Sequence, residues 1–362
     1  MRALLIVNPS ASCVTSACID RVTRELSAAW ELEQARTEWP GHATELARAA
    51  CRGNDVVFVL SGDGGFNEAV NGMSGQVPIG FLPGGATNVL PRALGLPRDP
   101  VECARHLARS HRLRRISLGR ATFLPAVDDR IPPATSPTEL PPPHPTCSHH
   151  PTRHAHTTPP DMLPPPHPHR GHPPGSPTGV TYRGHPPGSP ISRRFTFAAG
   201  VGLDAELIRA VDRLGRSKGR RPGDLAFVGQ LVSILASRRG TLEPAMSVEG
   251  YGRCAFAVVA NCDPYTFAGP VPVRAAPEAR FELGLDLVAP RRLSPLRLPR
   301  LAWQVLVRPT HVRSGDIVYL HDFDRAAVAC DRPTPLEADG EDLGDVVEVV
   351  FEAEREALSV LS

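Results

Sequence analysis

The stretch Val59-Leu60-Ser61-Gly62-Asp63-Gly64-Gly65-Phe66-Asn67-Glu68-Ala69-Val70-Asn71-Gly72 constrains the fold more than any other. It continues the apolar run Val56-Val57-Phe58, so a buried strand passes at once into a turn almost without side chains, and then into a helix. Two physical reasons would leave the turn bare: tightness alone, or an anionic group lying against the backbone. Backbone amides at such a turn and the start of the helix behind it both favour phosphate, and a Cβ would hold the phosphate away. Asp63 is placed to hold a magnesium ion or to order the loop. No Gly-x-x-x-x-Gly-Lys-[Ser/Thr] is present and the loop lacks the Gly-x-Gly-x-x-Gly pattern, which removes the P-loop and dinucleotide-fingerprint readings.

The same alternation runs along the first third of the chain. Residues 3–7 read as a strand ending at Asn8-Pro9, and 15–30 as a helix with Ile19, Val22, Leu26 and Trp30 at helical spacing. Strands over 33–37, 55–60 and 77–81 alternate with helices opening at Gly41, Phe66 and Asn88. That order predicts an α/β domain over 1–123, built on a parallel sheet covered on both faces. Over 124–192 the composition changes: 21 of the 40 prolines and nine histidines lie there, and Arg-Gly-His-Pro-Pro-Gly-Ser-Pro occurs twice. So little apolar surface does not offset the entropy of ordering, and the segment reads as a disordered insertion. His154/His156 and His167/His169 offer loose metal ligation, against which stands a solvated loop. From 193 to 362 the pattern turns to short strands (253–260, 281–288, 316–320, 325–330 and 346–352) after one helix near 224–237, which predicts a β-sandwich domain.

A net charge of +2 makes no demand for nucleic acid. The eight cysteines form no Cys-x-x-Cys pair, as suits reduced thiols in a cytoplasmic protein. The N-terminal apolar run is too short for a signal peptide, and no stretch approaches the ~20 apolar residues of a membrane span. Contact with a membrane is therefore expected to be peripheral and reversible. Two basic groups are candidates for it: Arg209, Arg213, Arg216, Lys218, Arg220 and Arg221, and then Arg291, Arg292, Arg297 and Arg300 among leucines.

Ser61-Gly62-Asp63-Gly64-Gly65-Phe66-Asn67-Glu68, with Asn71-Gly72, resembles the Gly-Gly-Asp-Gly-Thr-x-Asn-Glu signature of the diacylglycerol kinase catalytic domain family, which includes sphingosine kinases and bacterial lipid kinases. Five further stretches resemble the family's pattern in order: Asn8-Pro9; Thr37 with Gly41-His42-Ala43; Leu82-Pro83-Gly84-Gly85-Ala86-Thr87-Asn88; Gly200-Val201-Gly202-Leu203-Asp204-Ala205; and Asp339-Gly340-Glu341. The resemblance covers the chain apart from 124–192. It implies ATP between an α/β domain and a β-sandwich, with Asn8, Thr37, Gly62, Asp63, Gly64, Gly65, Asn67, Glu68 and Thr87 lining the nucleotide site. It implies magnesium near Asp63 and a general base at Asp339, with Glu341 beside it. The substrate it implies is a lipid hydroxyl at a membrane surface, on diacylglycerol or a sphingoid-type lipid, and a homodimer remains an open assembly state. The Asp339-Gly340 dipeptide on its own favours a hairpin turn.

The chain departs from the family pattern at several points. Ser61 stands for its first Gly and Gly65 for its Thr. Thr87 is displaced by one position, and Val89 replaces an Asp. Some relatives bind a structural metal through an Asp-Gly step. The aligned stretch here is Glu282-Leu283-Gly284-Leu285-Asp286, with Leu283 where the ligand would be. Two rival readings remain at this stage: NAD kinase, which shares a Gly-Gly-Asp-Gly loop, and a nucleotide- or lipid-binding protein that has lost catalysis.

Overall fold

The computed structural model describes residues 1–110, 112–126, 189–218 and 224–362. In chain order the first lobe comprises β1 (Arg2–Val7), α1 (Ser16–Ser27), β2 (Glu31–Arg36), α2 (His42–Ala50), β3 (Val56–Ser61), α3 (Asp63–Gly72), β4 (Ile79–Pro83), α4 (Val89–Ala93) and α5 (Pro100–Arg109). The strands lie in the order β4-β3-β1-β2, and every pair is parallel. All six residues of β3 are buried, as expected of a central strand covered on both faces. Helices α1 and α5 pack together, as do α2 and α3. The sequence sets these helices locally. Thr15 caps α1 by accepting from Cys18 N, Asp99 caps α5 twice over ahead of Pro100, and Ile19, Val22 and Leu26 form the buried stripe of α1. Phe66 of α3 meets Phe81 of β4 edge-on at 5.2 Å, with both rings buried. Burying each ring contributes about 2–3 kcal/mol, which fixes how α3 lies on the sheet.

The second lobe is strand-rich. It comprises β5 (Leu113–Pro125), β6 (Ile191–Phe195), β7 (Ala198–Val201), α6 (Leu203–Lys218), α7 (Asp224–Ser237), β8 (Met246–Val248), β9 (Gly252–Cys254), β10 (Ala257–Ala260), β11 (Thr266–Ala268), β12 (Val271–Val273), β13 (Leu285–Pro290), α8 (Leu298–Leu306), β14 (Ile317–Phe323), β15 (Arg325–Ala338) and β16 (Glu341–Leu361). Its core centres on Phe195, Val259, Leu287, Val328 and Phe351.

The strands of both lobes join one 14-stranded network. The cause is β16, 21 residues long. Its first half pairs with β15 and β5. After an irregularity around Glu356, at φ +49°, its end pairs with Ile79 of β4 through Val360. Strand β5 pairs along β16 for its whole length, so the expected division at 123 falls inside a strand. The described residues therefore belong to one compact unit. Apart from its ends, the expected insertion 124–192, with its histidine pairs, lies outside the described residues. So do Arg220 and Arg221 of the first basic group. Arg209 of that group is half-buried and forms ion pairs with Asp342 and Asp345, both at 2.7 Å, so its charge tethers α6 to the start of β16.

Candidate active site

Strand β3 ends at Ser61 and α3 begins at Asp63 after Gly62, with no side-chain cap on the helix start. The first amides of a helix have no intrahelical partner, so those of Gly64 and Gly65 stand at the positive end of a ten-residue helix with nothing from the cap residue to satisfy them. The loop after β4 forms the adjoining wall. Gly84 N donates to Ser61 O at 2.6 Å, and a Cβ built on Gly85 would come within 2.7 Å of Gly62 Cα, so the two backbones meet only because both residues are glycine. Asn88, at φ +51°, locks that loop: its Oδ1 accepts from Gly85 N at 2.8 Å and its Nδ2 donates to Gly85 O at 2.6 Å. Asp63 Oδ1 accepts from Leu90 N at 3.3 Å, which ties the start of α3 to α4.

Beside Gly65 lies a cleft of about 250 Å³ whose lining includes Asn8, Thr37, Trp39, Ser61, Gly65 and Glu68. Parallel-strand topology produces this grouping. The ends of β1, β2 and β3 lie side by side; β1 and β2 contribute the residues that follow them, Asn8 and Thr37, and β3 its last residue, Ser61. Trp39 is half-exposed and stacks on His42 with ring centroids 3.7 Å apart. Asn8, Thr37, Gly65 and Glu68, far apart in sequence, thus share one cleft; Gly62, Asp63 and Gly64 are not part of its lining and lie in the turn that leads to Gly65. Thr87 is not part of that lining; its carbonyl accepts from Arg92 Nη1 at 3.4 Å.

Asn67 faces elsewhere. It is 1% exposed, and its Nδ2 donates to Arg194 O at 2.9 Å and to Asp339 Oδ2 at 2.8 Å, while its Oδ1 accepts from Asn71. One residue along a helix turns a side chain by about 100°, so Asn67 points to the lobe junction while Glu68 points into the cleft.

The residues Asp339 and Gly340, at φ +50° and +78°, form the two-residue hairpin between β15 and β16. Asp339 is 3% exposed and accepts five hydrogen bonds. Asn67 Nδ2, Thr196 N and Thr196 Oγ1 reach Oδ2 at 2.7–2.8 Å, and Phe197 N and Ala198 N reach Oδ1 at 2.9 and 3.2 Å. Burial raises its pKa above the usual aspartate value, and the five donors pull against that rise. A carboxylate so fully occupied clamps α3, the β6–β7 junction and the hairpin together. Asn261 extends the clamp by donating to Thr196 O and Ser117 O. Glu341 stands past the turn with its side chain 44% exposed and accepts from Arg193 Nη2 at 2.8 Å.

A second carboxyl cluster lies beside this clamp. Glu337, two residues before Asp339 on the same strand, is 2% exposed and accepts from Gly340 N at 2.8 Å. It shares a hydrogen bond with Asp204 at the start of α6, and Asp204 in turn accepts from Tyr265 Oη at 2.5 Å. Burial, and then the neighbouring Asp204 charge, drives the Glu337 pKa well up. Burial also raises Asp204, against the hydrogen bonds it receives from Tyr265 and Glu337. Both carboxyls are thus pushed up, and the pair shares a proton, with Asp204 the member that keeps partial exposure.

Among the described residues no three His, Cys, Asp or Glu side chains converge as a metal centre. Asp63 next to phosphate-seeking amides fits an ion held by one or two carboxylates and by a ligand's phosphates, the usual magnesium arrangement. Near Gly284, Asp322 accepts from Gly284 N and from Arg355, which also pairs with Asp324, so a guanidinium occupies that acidic corner.

A parallel α/β lobe with a glycine turn at the start of α3 is joined to a strand-rich lobe that carries buried carboxylates. Residues 2–121 match the family model described as the diacylglycerol kinase catalytic domain. The chain is similar to a diacylglycerol kinase of Bacillus subtilis (strain 168), at 34% identity over 106 residues, 28% of this chain and 35% of that protein. The match thus reaches about a third of the curated relative's length. A solved diacylglycerol kinase structure from Bacillus anthracis str. Sterne aligns over 99% of this chain and 96% of its own, with a TM-score of 0.60 at 14% identity. Another structure from that organism aligns over the same shares at TM-score 0.64 and 17% identity. At these identities the two structures establish the shared fold.

Proposed function

We propose that the protein transfers the γ-phosphoryl group of ATP to the hydroxyl of a lipid, of the diacylglycerol or sphingoid type, at a membrane surface. The observation that carries this reading is the uncapped start of α3, set against the Gly84–Gly85 loop and opening onto the Asn8–Thr37–Glu68 cleft. Amides there receive phosphate oxygens, and Trp39 offers a face to a purine at the cleft's outer edge. Magnesium bound near Asp63 would neutralise phosphate charge. The proton acceptor is Asp204: its oxygen takes the lipid hydroxyl proton as that hydroxyl oxygen bonds to the γ-phosphorus, and the bond to the bridging oxygen breaks to release ADP. Glu337 and Tyr265 orient Asp204, and Asp339 positions the backbone on which the site is built.

The exchange of residues at 61 and 65 supports retained function. A Cβ on Gly65 would run into the Ser61 side chain, so Ser61 Oγ occupies the space a residue-65 side chain would fill, held at 3.2 Å by Asn8 Nδ2. The hydroxyl that the family pattern carries at 65 is supplied here from 61. That compensation weighs against the reading of a binding protein that has lost catalysis.

Titration with Mg·ATP, followed through Trp39 fluorescence, tests the nucleotide seat. A Cβ on Gly64 meets nothing within 4 Å, so Gly64→Val is expected to fold but places a side chain beside the amides at the start of α3. Saturable quenching in the wild type, lost in Gly64→Val, is expected. ATP affinity unchanged in Gly64→Val would remove the phosphates from this turn.

A further inference from the structure

Helix α8 fully buries none of its nine residues. Its inner edge, Leu298 and Leu301, packs on Leu242, Ala255 and Leu293. Its outer face carries Trp303, Leu306 and Val307 at 61, 40 and 58% exposure, and Leu296 just before it is 94% exposed. Helical spacing puts Trp303, Leu306 and Val307 on one face, with Arg300 a turn before Trp303. Single exposed apolar side chains are ordinary on a soluble protein, but four within one short segment form a patch.

The charge around this patch has one sign. Residues 291–313 hold six arginines and no acidic residue. Glu243 pairs with Arg292 and Asp316 pairs with Arg297, which leaves the charge of Arg291, Arg300, Arg308 and Arg313 in excess. An apolar helix face with an aromatic side chain and an arginine fringe is the pattern of a helix lying in a lipid interface.

We infer that α8 seats the protein on an anionic lipid bilayer, with Leu296, Trp303, Leu306 and Val307 in the acyl boundary and Arg300 and Arg308 on headgroup phosphates. The seat is continuous with the proposed site. Val305 O of α8 accepts from Arg274 N at 3.0 Å, just beyond the β11–β12 hairpin. Within that hairpin Gly269 O accepts from Arg92 Nη2 at 3.2 Å and the Phe267 ring lies under the Arg92 guanidinium, which reaches back to Thr87 O. Tyr265, at the base of the hairpin, holds Asp204. One hairpin thus separates the bilayer seat from the proton acceptor. This inference rests on the proposed function for its purpose, although the contact itself requires no catalysis.

Co-sedimentation with phosphatidylcholine vesicles, with and without phosphatidylglycerol, tests it in the absence of nucleotide. Trp303→Gln/Leu306→Gln and Arg300→Gln/Arg308→Gln change only exposed side chains and are expected to melt as the wild type does. Partitioning onto phosphatidylglycerol vesicles is expected to fall about 25-fold in the arginine pair, roughly fivefold per charge, and about tenfold or more in the apolar pair. Quenching by brominated lipid is expected in the wild type and lost with Trp303. Unchanged partitioning in both variants overturns the proposal, as does equal binding to neutral vesicles. Concentration-dependent self-association abolished by Trp303→Gln would assign the patch to a second copy of the chain and overturn it as well. Both variants are expected to phosphorylate a soluble short-chain diacylglycerol at the wild-type rate. Intact vesicle binding without phosphorylation of any lipid would refute the kinase reading alone.

Discussion

Replacing Asp339 separates a clamp from a catalyst. In Asp339→Ala the backbone N–H groups of Thr196, Phe197 and Ala198 lose their acceptor in a site that is 3% exposed, as do Asn67 Nδ2 and Thr196 Oγ1. The two side-chain donors have an alternative: Asn67 keeps its bond to Arg194 O, and the threonine hydroxyl can rotate. The three backbone donors have none. At about 1–3 kcal/mol for each stranded buried donor, less what is recovered by no longer burying a carboxylate, the loss comes to about 3–5 kcal/mol. For a chain of this size that lowers the melting temperature by about 4–8 °C. Asp339→Asn keeps one acceptor but turns an amide toward donors, and is expected to fall between. Urea unfolding followed by tryptophan fluorescence measures both variants. A midpoint equal to wild type, combined with abolished lipid phosphorylation, would refute the clamp and return the general base to Asp339.

The remaining predictions concern the second carboxyl cluster and the loop exchange. Asp204→Asn is expected to fold and to bind ATP but to lower kcat by about 10²–10⁴-fold, since it removes the proton acceptor; undiminished turnover would exclude that role. Burial raises the folded pKa of Glu337, so its protonated form stabilises the fold, and that contribution is lost as pH climbs from the ordinary glutamate value of about 4.3 through the raised one. Urea midpoints across that range are expected to fall in the wild type and to flatten in Glu337→Gln; identical slopes would show that the pair shares no proton. Gly65→Thr alone is expected to cost about 1–3 kcal/mol through its clash with Ser61, and Ser61→Gly in the same chain to recover most of it. Additive effects in that double-mutant cycle would mean the two positions are unrelated.

Much of the first lobe was legible because its signals are local. An apolar run followed by glycines marked β3 and α3, and the ordered motifs marked the cleft. The same holds for Asp339-Gly340, whose hairpin follows from the dipeptide alone. Helix 224–237 also stands where its apolar spacing placed it. What escaped depended on tertiary context. The helix α6 is arginine-rich and read as a basic surface, yet Arg209 turns inward to Asp342 and Asp345. The helix α8 carries Pro299 in its first turn and leucines alternating with arginines just before it, a pattern without a clear helical period. Strand β16 was read only over 346–352, because its remaining length owes its order to pairing with β5 and β4, not to its own alternation. Motif position placed Asn67 and Asp339 near the nucleotide, but motifs do not record side-chain direction. Both side chains face each other at the lobe junction.

The most direct test of the account is transfer of label from γ-labelled ATP, with magnesium, into mixed vesicles of diacylglycerol, ceramide and sphingosine, run beside Asp204→Asn. Label is expected in one of these lipids, absent with Asp204→Asn although that variant still binds ATP. ATP bound by the wild type with no label in any lipid, or label undiminished in Asp204→Asn, would contradict it.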